Sequence, residues 1–152
     1  MRFVTIAVSF CTLSMVLAPL RALGADNKVL DAAALVALQA RADQAQPKDQ
    51  CFLYAEVVHQ MTELAGRQYG AGEPKDASAT LKLVQRYAEK IRINLAVNSK
   101  KLKDAELLMQ RTSFRLKDIL GSASYDDRQT LDATLKDLDQ VQNQLMMEVF
   151  KK

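Results

Sequence analysis

From Leu81 to Ile119 the chain places a residue suited to a buried seam at every third or fourth position without a skip: Leu81, Val84, Ala88, Ile91, Leu95, Asn98, Leu102, Ala105, Met109, Thr112, Leu116 and Ile119. Alternating steps of three and four align these side chains along one stripe of an α-helix, whereas a β-strand repeats its faces every second residue. Ten of the twelve are apolar. Such a stripe has to be covered by another helix, which commits the chain to an all-α fold. The punctuation agrees, because 5 Gly and 3 Pro are too few for the many tight turns of a sandwich or barrel. The expected architecture is an antiparallel helical bundle, or helical hairpins built around one long helix.

No Gly or Pro interrupts residues 75 to 120, and the beat keeps its phase through Leu95, Asn98 and Leu102. This predicts one continuous heptad-patterned helix over about 76–120, capped by Asp76 and about 67 Å long. The alternative is a turn at Asn98-Ser99, which gives helices of similar length in a compact bundle.

Before this stretch, an Ala-rich helix is expected from about Asn27 to Ala45. Its small side chains, Ala32, Ala33, Ala34, Ala37, Ala40 and Ala42, sit around Leu30, Leu35 and Leu38 and would let it lie close to a neighbour. Pro47 ends it and suits the first turn of a second helix, where its missing N–H costs nothing and Asp49 meets the positive end of the helix dipole. That helix reaches about Tyr69, with Tyr54, Val57, Val58, Met61, Leu64 and Ala65 on its apolar face. Gly70, Gly72 and Pro74 then mark a turn. No second copy of this helix pair follows at a shift of about 34 residues, which excludes a tetratricopeptide array.

At the other end, Gly121 is placed to stop a helix in the left-handed conformation, and Ser124 with Asp127 three residues on reads as the next start signal. The final helix is expected to reach about Phe150, with Leu131, Leu135, Leu138, Gln142, Leu145 and Val149 on the beat. So short a linker makes the last two helices antiparallel neighbours. Residues 86 to 117 hold nine Lys/Arg and three Asp/Glu, whereas 118 to 148 hold two and seven. Opposite charges are therefore expected to flank the seam between these helices. Lys100, Lys101, Lys103, Arg111 and Arg115 form a basic interaction face open to an anionic lipid, polysaccharide or acidic partner.

The first residues read as an address. Arg2 precedes an apolar run, Phe3 to Ala18, broken only by Thr5, Ser9, Thr12 and Ser14 and followed by Pro19. This is the pattern of a secretory signal peptide, residues 1–24, with small residues in Ala22-Leu23-Gly24 directing cleavage before Ala25. A single helical domain, 25–152, would remain, secreted or periplasmic and with no stable membrane span. Its 19 basic and 18 acidic side chains nearly cancel, so nucleic acid is not expected as a partner. Cleavage also removes Cys11. Cys51 is then alone in an oxidising compartment, either a buried thiol or the half of an intermolecular disulfide.

Reactive chemistry finds little support. Glu56-x-x-His59 has the spacing used by di-iron bundles, but His59 is the sole histidine, so the second such pair is missing and the two residues remain only weak metal candidates. Cys51 and His59 lie about 80° apart around one helix and converge poorly on a zinc ion. There is no Cys-x-x-Cys-His for covalent haem and no phosphate loop. No cofactor, metal or catalytic residue is assigned, and the chain is read as a non-enzyme. Its expected role is binding or scaffolding by helix–helix interaction with another protein or with a second copy of itself, a homodimer. The alternative is a small-ligand or metal carrier using the bundle interior around Tyr54, Glu56, His59 and Met61. Intact-mass measurement of the exported protein should return a chain that starts at Ala25.

Overall fold

Pro47 and Pro74 each open a helix. The computed structural model describes residues 30–95 and 99–151. The signal peptide expected over 1–24, the first turn expected from Asn27 and the seam position Asn98 lie outside these residues. Five helices follow in order: α1 (Ala32–Gln44), α2 (Pro47–Gly70), α3 (Pro74–Asn94), α4 (Leu102–Ser122) and α5 (Tyr125–Phe150). Among the described residues there is no strand.

Local chemistry sets the boundaries. Asp31 caps α1, its Oδ1 accepting from the Ala34 amide at 2.7 Å. Both prolines occupy the first turn of their helices, and Asp49 and Asp76 sit in those same turns beside the positive dipole ends. Asp76 is therefore not the cap expected from the sequence; Glu73 takes that place without a side-chain capping bond. Gly72 turns the chain between α2 and α3 at φ +77°, a conformation that favours glycine. Gly121 does no such work. It is inside α4, which runs one residue further and ends where Ala123 becomes extended. Ser124 precedes α5 as predicted, although its hydroxyl donates to the Asp127 carboxylate rather than capping a backbone amide.

The helices pack as a square with one addition. Helix α2 lies against α3 and α4, and α5 lies against the same two, so α2 faces α5 and α3 faces α4 across the diagonals. The short turns make α2–α3 and α4–α5 antiparallel hairpins. Helices α2 and α4 run parallel, because residues 59 and 63 of one meet 112 and 115 of the other. Helix α1 packs on α2 outside the square, running back along it so that Arg41 meets Glu56 and Asp43 meets Tyr54. One core joins all five helices, with Val57, Met61, Leu81, Ile91, Met109, Leu116, Leu131, Leu138 and Leu145 fully enclosed. At its narrowest, α4 approaches α2 so closely that a Cβ added to Gly66 would lie 3.0 Å from both the Arg115 guanidinium and the Ile119 terminal methyl.

The continuous helix over 76–120 does not exist. Helix α3 ends at Asn94 and α4 begins at Leu102, and the seven residues between them match one heptad. That length is the physical reason the beat runs on undisturbed: a crossing of two helical turns' worth of residues returns the seam to the same phase on a new helix. On both sides the predicted seam is correct, with Leu81, Val84, Ala88, Ile91, Ala105, Met109, Thr112, Leu116 and Ile119 all buried. The crossing is fixed by polar bonds. The Asn94 side-chain amide donates to the Lys90 carbonyl, the Ser99 hydroxyl donates to the Asn94 carbonyl, and the Lys100 amide donates to the Lys48 carbonyl at 2.8 Å. Lys101 then reverses the chain at φ 55°, ψ 34°.

Three smaller expectations also change. In α5 the buried stripe is Leu131, Thr134, Leu138, Val141 and Leu145; Leu135, Gln142 and Val149 are half-buried on its flank, so Gln142 is no polar break in the seam. In α1 only Ala42 of the six alanines is buried, and Ala32, Ala33, Ala37 and Ala40 face solvent. The opposite charges of the last helices do not pair directly among the described residues. Inter-helix ion pairs instead join Arg41 to Glu56, Lys90 to Asp43 and Arg115 to Glu63.

Lys101 is the one described non-glycine residue with positive φ, a conformation that costs a side-chain-bearing residue about 1–2 kcal/mol. Lys101→Gly should raise stability by about 0.5–1 kcal/mol and Lys101→Val should lower it by about 1–2 kcal/mol. Denaturant titration of the two variants checks this, and a less stable glycine variant would contradict it.

Candidate functional site

On α2, residues 56, 59, 60 and 63 follow the spacing i, i+3, i+4, i+7 and so share one side of the helix. All four are polar: Glu56, His59, Gln60 and Glu63. The stripe faces the gap between α1 and α4, and its members bond alternately to the two. Glu56 accepts from Arg41 of α1 at 3.1 Å, and Gln60 Oε1 accepts from the Leu30 amide just before α1. His59 Nδ1 lies 3.0 Å from the Thr112 hydroxyl of α4, and Glu63 accepts from Arg115 Nε at 3.1 Å. The spacing that suggested half of a metal site thus fastens two helices to a third.

The hydrogen bonds fix which ring nitrogen of His59 donates to Thr112. Thr112 is buried and spends its single proton on the Leu108 carbonyl at 2.7 Å, so the Nδ1 of His59 is the donor and Nε2 is left as an acceptor. Burial lowers the His59 pKa; Glu63 opposes this and Arg111 adds to it. The ring is therefore held as a neutral imidazole.

Above the stripe an open groove of about 530 Å³ runs between α1 and α4. Leu30, Ala34, Ala37 and Leu38 form one wall and Leu108 the other, while Arg41, Glu56, His59 and Gln60 supply the polar atoms. The sequence reading named Glu56 and His59 but grouped them with Tyr54 and Met61. The structure separates these pairs. Met61 is enclosed in the core, and Tyr54 turns to the opposite side of α2, where its hydroxyl donates to Asp43 and its ring lies 5.8 Å from that of Tyr87. Lys90 completes this second fastening with a 2.6 Å bond to Asp43 beneath the two rings' faces. The Lys90 bond outweighs burial and holds the Asp43 carboxyl below its ordinary value; burial and Asp43 together push the Tyr54 phenol up to about 12.

Cys51 is fully buried at the start of α2, and burial pushes its thiol up to about 11 against the opposing bond with Ser99. Among the described residues no three potential metal-ligating side chains come together. The basic face also divides. Lys100, Lys101 and Lys103 surround the start of α4, Arg115 is committed to Glu63, and Arg111 stands beside His59. Residues that sequence reasoning missed are Arg41, Gln60 and Leu108. Gln60 was recoverable from its spacing to Glu56, whereas Arg41 and Leu108 become relevant only once α1 and α4 are placed; Glu63, expected one turn from His59, bonds Arg115 instead.

Comparison of the chain with family models, with curated proteins and with solved structures finds no match.

Because the unfolded imidazole titrates near its ordinary 6.5 and the folded one lower, the unfolded state takes up the proton first on acidification. The stabilising contribution of neutral His59 is complete above 6.5 and is lost as pH falls through the lower, folded value. His59→Gln should flatten the fall in stability between neutral pH and about pH 5, and Thr112→Val, which orphans Nδ1, should cost about 1–2 kcal/mol. Denaturation midpoints across this pH range check both; identical slopes with and without the imidazole would contradict the first.

Proposed function

We propose that this chain is a non-catalytic binding or scaffolding protein that associates through α1 and the groove beside it, and that it works outside the cytoplasm, as its signal-like first segment suggests. The observation that carries this reading is an incomplete helix packing. Helices α2, α3, α5 and α4 make a full square, each side covered. Helices α1, α2 and α4 make three corners of a second square that shares the α2·α4 edge, and the groove is the missing corner.

The outer face of α1 matches that vacancy. Ala33, Val36, Ala37 and Ala40 are exposed, uncharged and small, and Val36 keeps 62% of its surface in water. Small side chains allow backbones to approach closely, and an apolar face on a helix with one neighbour is where a further helix gains most from burial. The occupant proposed is α1 of a second copy. Two chains related by a twofold axis would each lay this face into the other's groove, a self-complementary arrangement of the commonest oligomer type.

Light scattering from micromolar to near-millimolar concentration should find a concentration-dependent dimer, and Ala37→Arg should return it to monomer with its circular dichroism unchanged, since Ala37 is exposed. A strict monomer throughout would overturn the reading.

A small-ligand carrier is the second reading, supported by the groove itself. Its volume of about 530 Å³ and its apolar walls with a few polar groups are those of small-molecule sites, and His59 Nε2 offers an acceptor within it. Native mass spectrometry of the protein purified without denaturation distinguishes the two by the presence of a bound mass.

A further inference from the structure

A second surface lies at the end of the bundle where α2 and α4 begin and α5 finishes; it shares no lining residue with the groove, and a smaller cleft lined by Arg41, Glu56, Lys100 and Lys101 joins the two. Lys48, Lys100, Lys101 and Lys103 surround a cleft of about 600 Å³ there, with Val149 of α5 forming part of its wall and Asp104 its single carboxylate. All four lysines are exposed. None is in an ion pair among the described residues, and Lys101 lies instead over the Phe52 ring at 4.7 Å. Beside Val149 the last turns of α5 carry an apolar stripe: Met146, Met147 and Phe150, which are 41%, 56% and 79% exposed. Their spacing of three and four puts them on one side of the helix. Lys151, immediately beyond, is paired with Glu148 and adds no net charge.

From this juxtaposition we infer that the end of the bundle is a docking surface for an anionic lipid bilayer, with the lysine cleft receiving phosphate headgroups and Met146, Met147 and Phe150 entering the boundary of the acyl chains. Four unpaired lysines alone fit any polyanion. The adjoining stripe selects the membrane, because a soluble polyanion offers nothing for an exposed phenyl ring and two thioethers to be buried in, whereas a bilayer interface supplies charge and hydrocarbon within a few ångströms of each other. No described helix is long and apolar enough to cross a membrane, so the attachment is a peripheral one, reversible and sensitive to salt. The lysine cleft shares no lining residue with the groove beside α1, so association between copies would leave it open, and two copies would present two such ends.

Co-sedimentation with vesicles tests this on the purified protein. Binding is expected to vesicles of phosphatidylcholine and phosphatidylglycerol in equal parts, to be absent with phosphatidylcholine alone, and to be reversed by high salt. Neutralising a lysine near an anionic surface weakens partitioning roughly five-fold, so Lys100→Gln with Lys103→Gln should weaken it about 25-fold. Phe150→Ser should weaken it about ten-fold or more. All three positions are exposed, and melting curves that match the wild type establish that the variants fold; Met147→Ser repeats the apolar test at an independent residue. No dependence on phosphatidylglycerol would overturn the proposal. So would wild-type vesicle binding by both Phe150→Ser and Met147→Ser, or full displacement by millimolar inorganic phosphate at constant low ionic strength, since either outcome leaves an anion site with no role for the bilayer.

Discussion

Helix α2 has to be covered on three sides, and the remainder of the molecule is arranged to do it. Its buried residues, Cys51, Tyr54, Ala55, Val57, Val58, Met61, Thr62, Glu63 and Ala65, occupy far more of its circumference than the single stripe of a surface helix. No one neighbour spans that arc. Helix α3 covers one flank as the second arm of a hairpin, α4 covers another in parallel, and α1 folds back over what is left. The requirement also explains why polar side chains persist so deep. Where α2 turns from one neighbour to the next, Glu56, His59, Gln60 and Glu63 each meet a specific partner, and the side chain that is most nearly enclosed, Glu63, is held by a guanidinium. A buried carboxylate without that partner would be strongly destabilising.

Much of this architecture is legible in the residues and some of it is not, for reasons that can be named. Helical class, the turn at Gly72, the role of Pro47 and the inward faces of α2, α3 and α4 follow from periodicity and backbone preference, which are local. The break between Asn94 and Leu102, foreseen only as the alternative turn at Asn98-Ser99, is not marked by periodicity, which counts residues and not directions: a crossing one heptad long leaves the count intact. Among the described residues Lys101 breaks a local rule there, in a conformation its side chain resists, and nothing in its identity advertises that. In α5 the reading slid half a step, since Leu135 and Val149 are better hydrophobes than Thr134, yet Thr134 is buried because its hydroxyl bonds back to the Thr130 carbonyl and hides its polarity. The site was half visible. Glu56 and His59 were singled out by their spacing and kept only as weak metal candidates, while the partners they bond, Arg41 and Thr112, come from helices whose placement is a tertiary fact.

The molecule's surfaces divide by what they leave unfinished. Along α1 and its groove the unfinished element is packing: small apolar side chains with no neighbour, over a floor whose polar groups are already bonded to one another. At the lysine end it is electrostatic, with four lysines gathered around one carboxylate and none of them in an ion pair among the described residues. At Tyr54, Tyr87 and Lys90 the polar groups are matched. Two rings, an ammonium and the Asp43 carboxylate satisfy one another and lock α1 to α3. Exposed residues on that side are accordingly a poor place to look for recognition.

The parallel contact between α2 and α4 also shapes the route to this fold. Each hairpin closes through a linker of two or three residues, so α2–α3 and α4–α5 assemble from contacts near in sequence and should form early. The bonds from His59 to Thr112 and from Glu63 to Arg115 bridge separations of 53 and 52 residues. They exist only where the two hairpins lie side by side, so a loss of these bonds reports separation of the hairpins and bares the seam between α2 and α4 while each hairpin keeps its own local contacts.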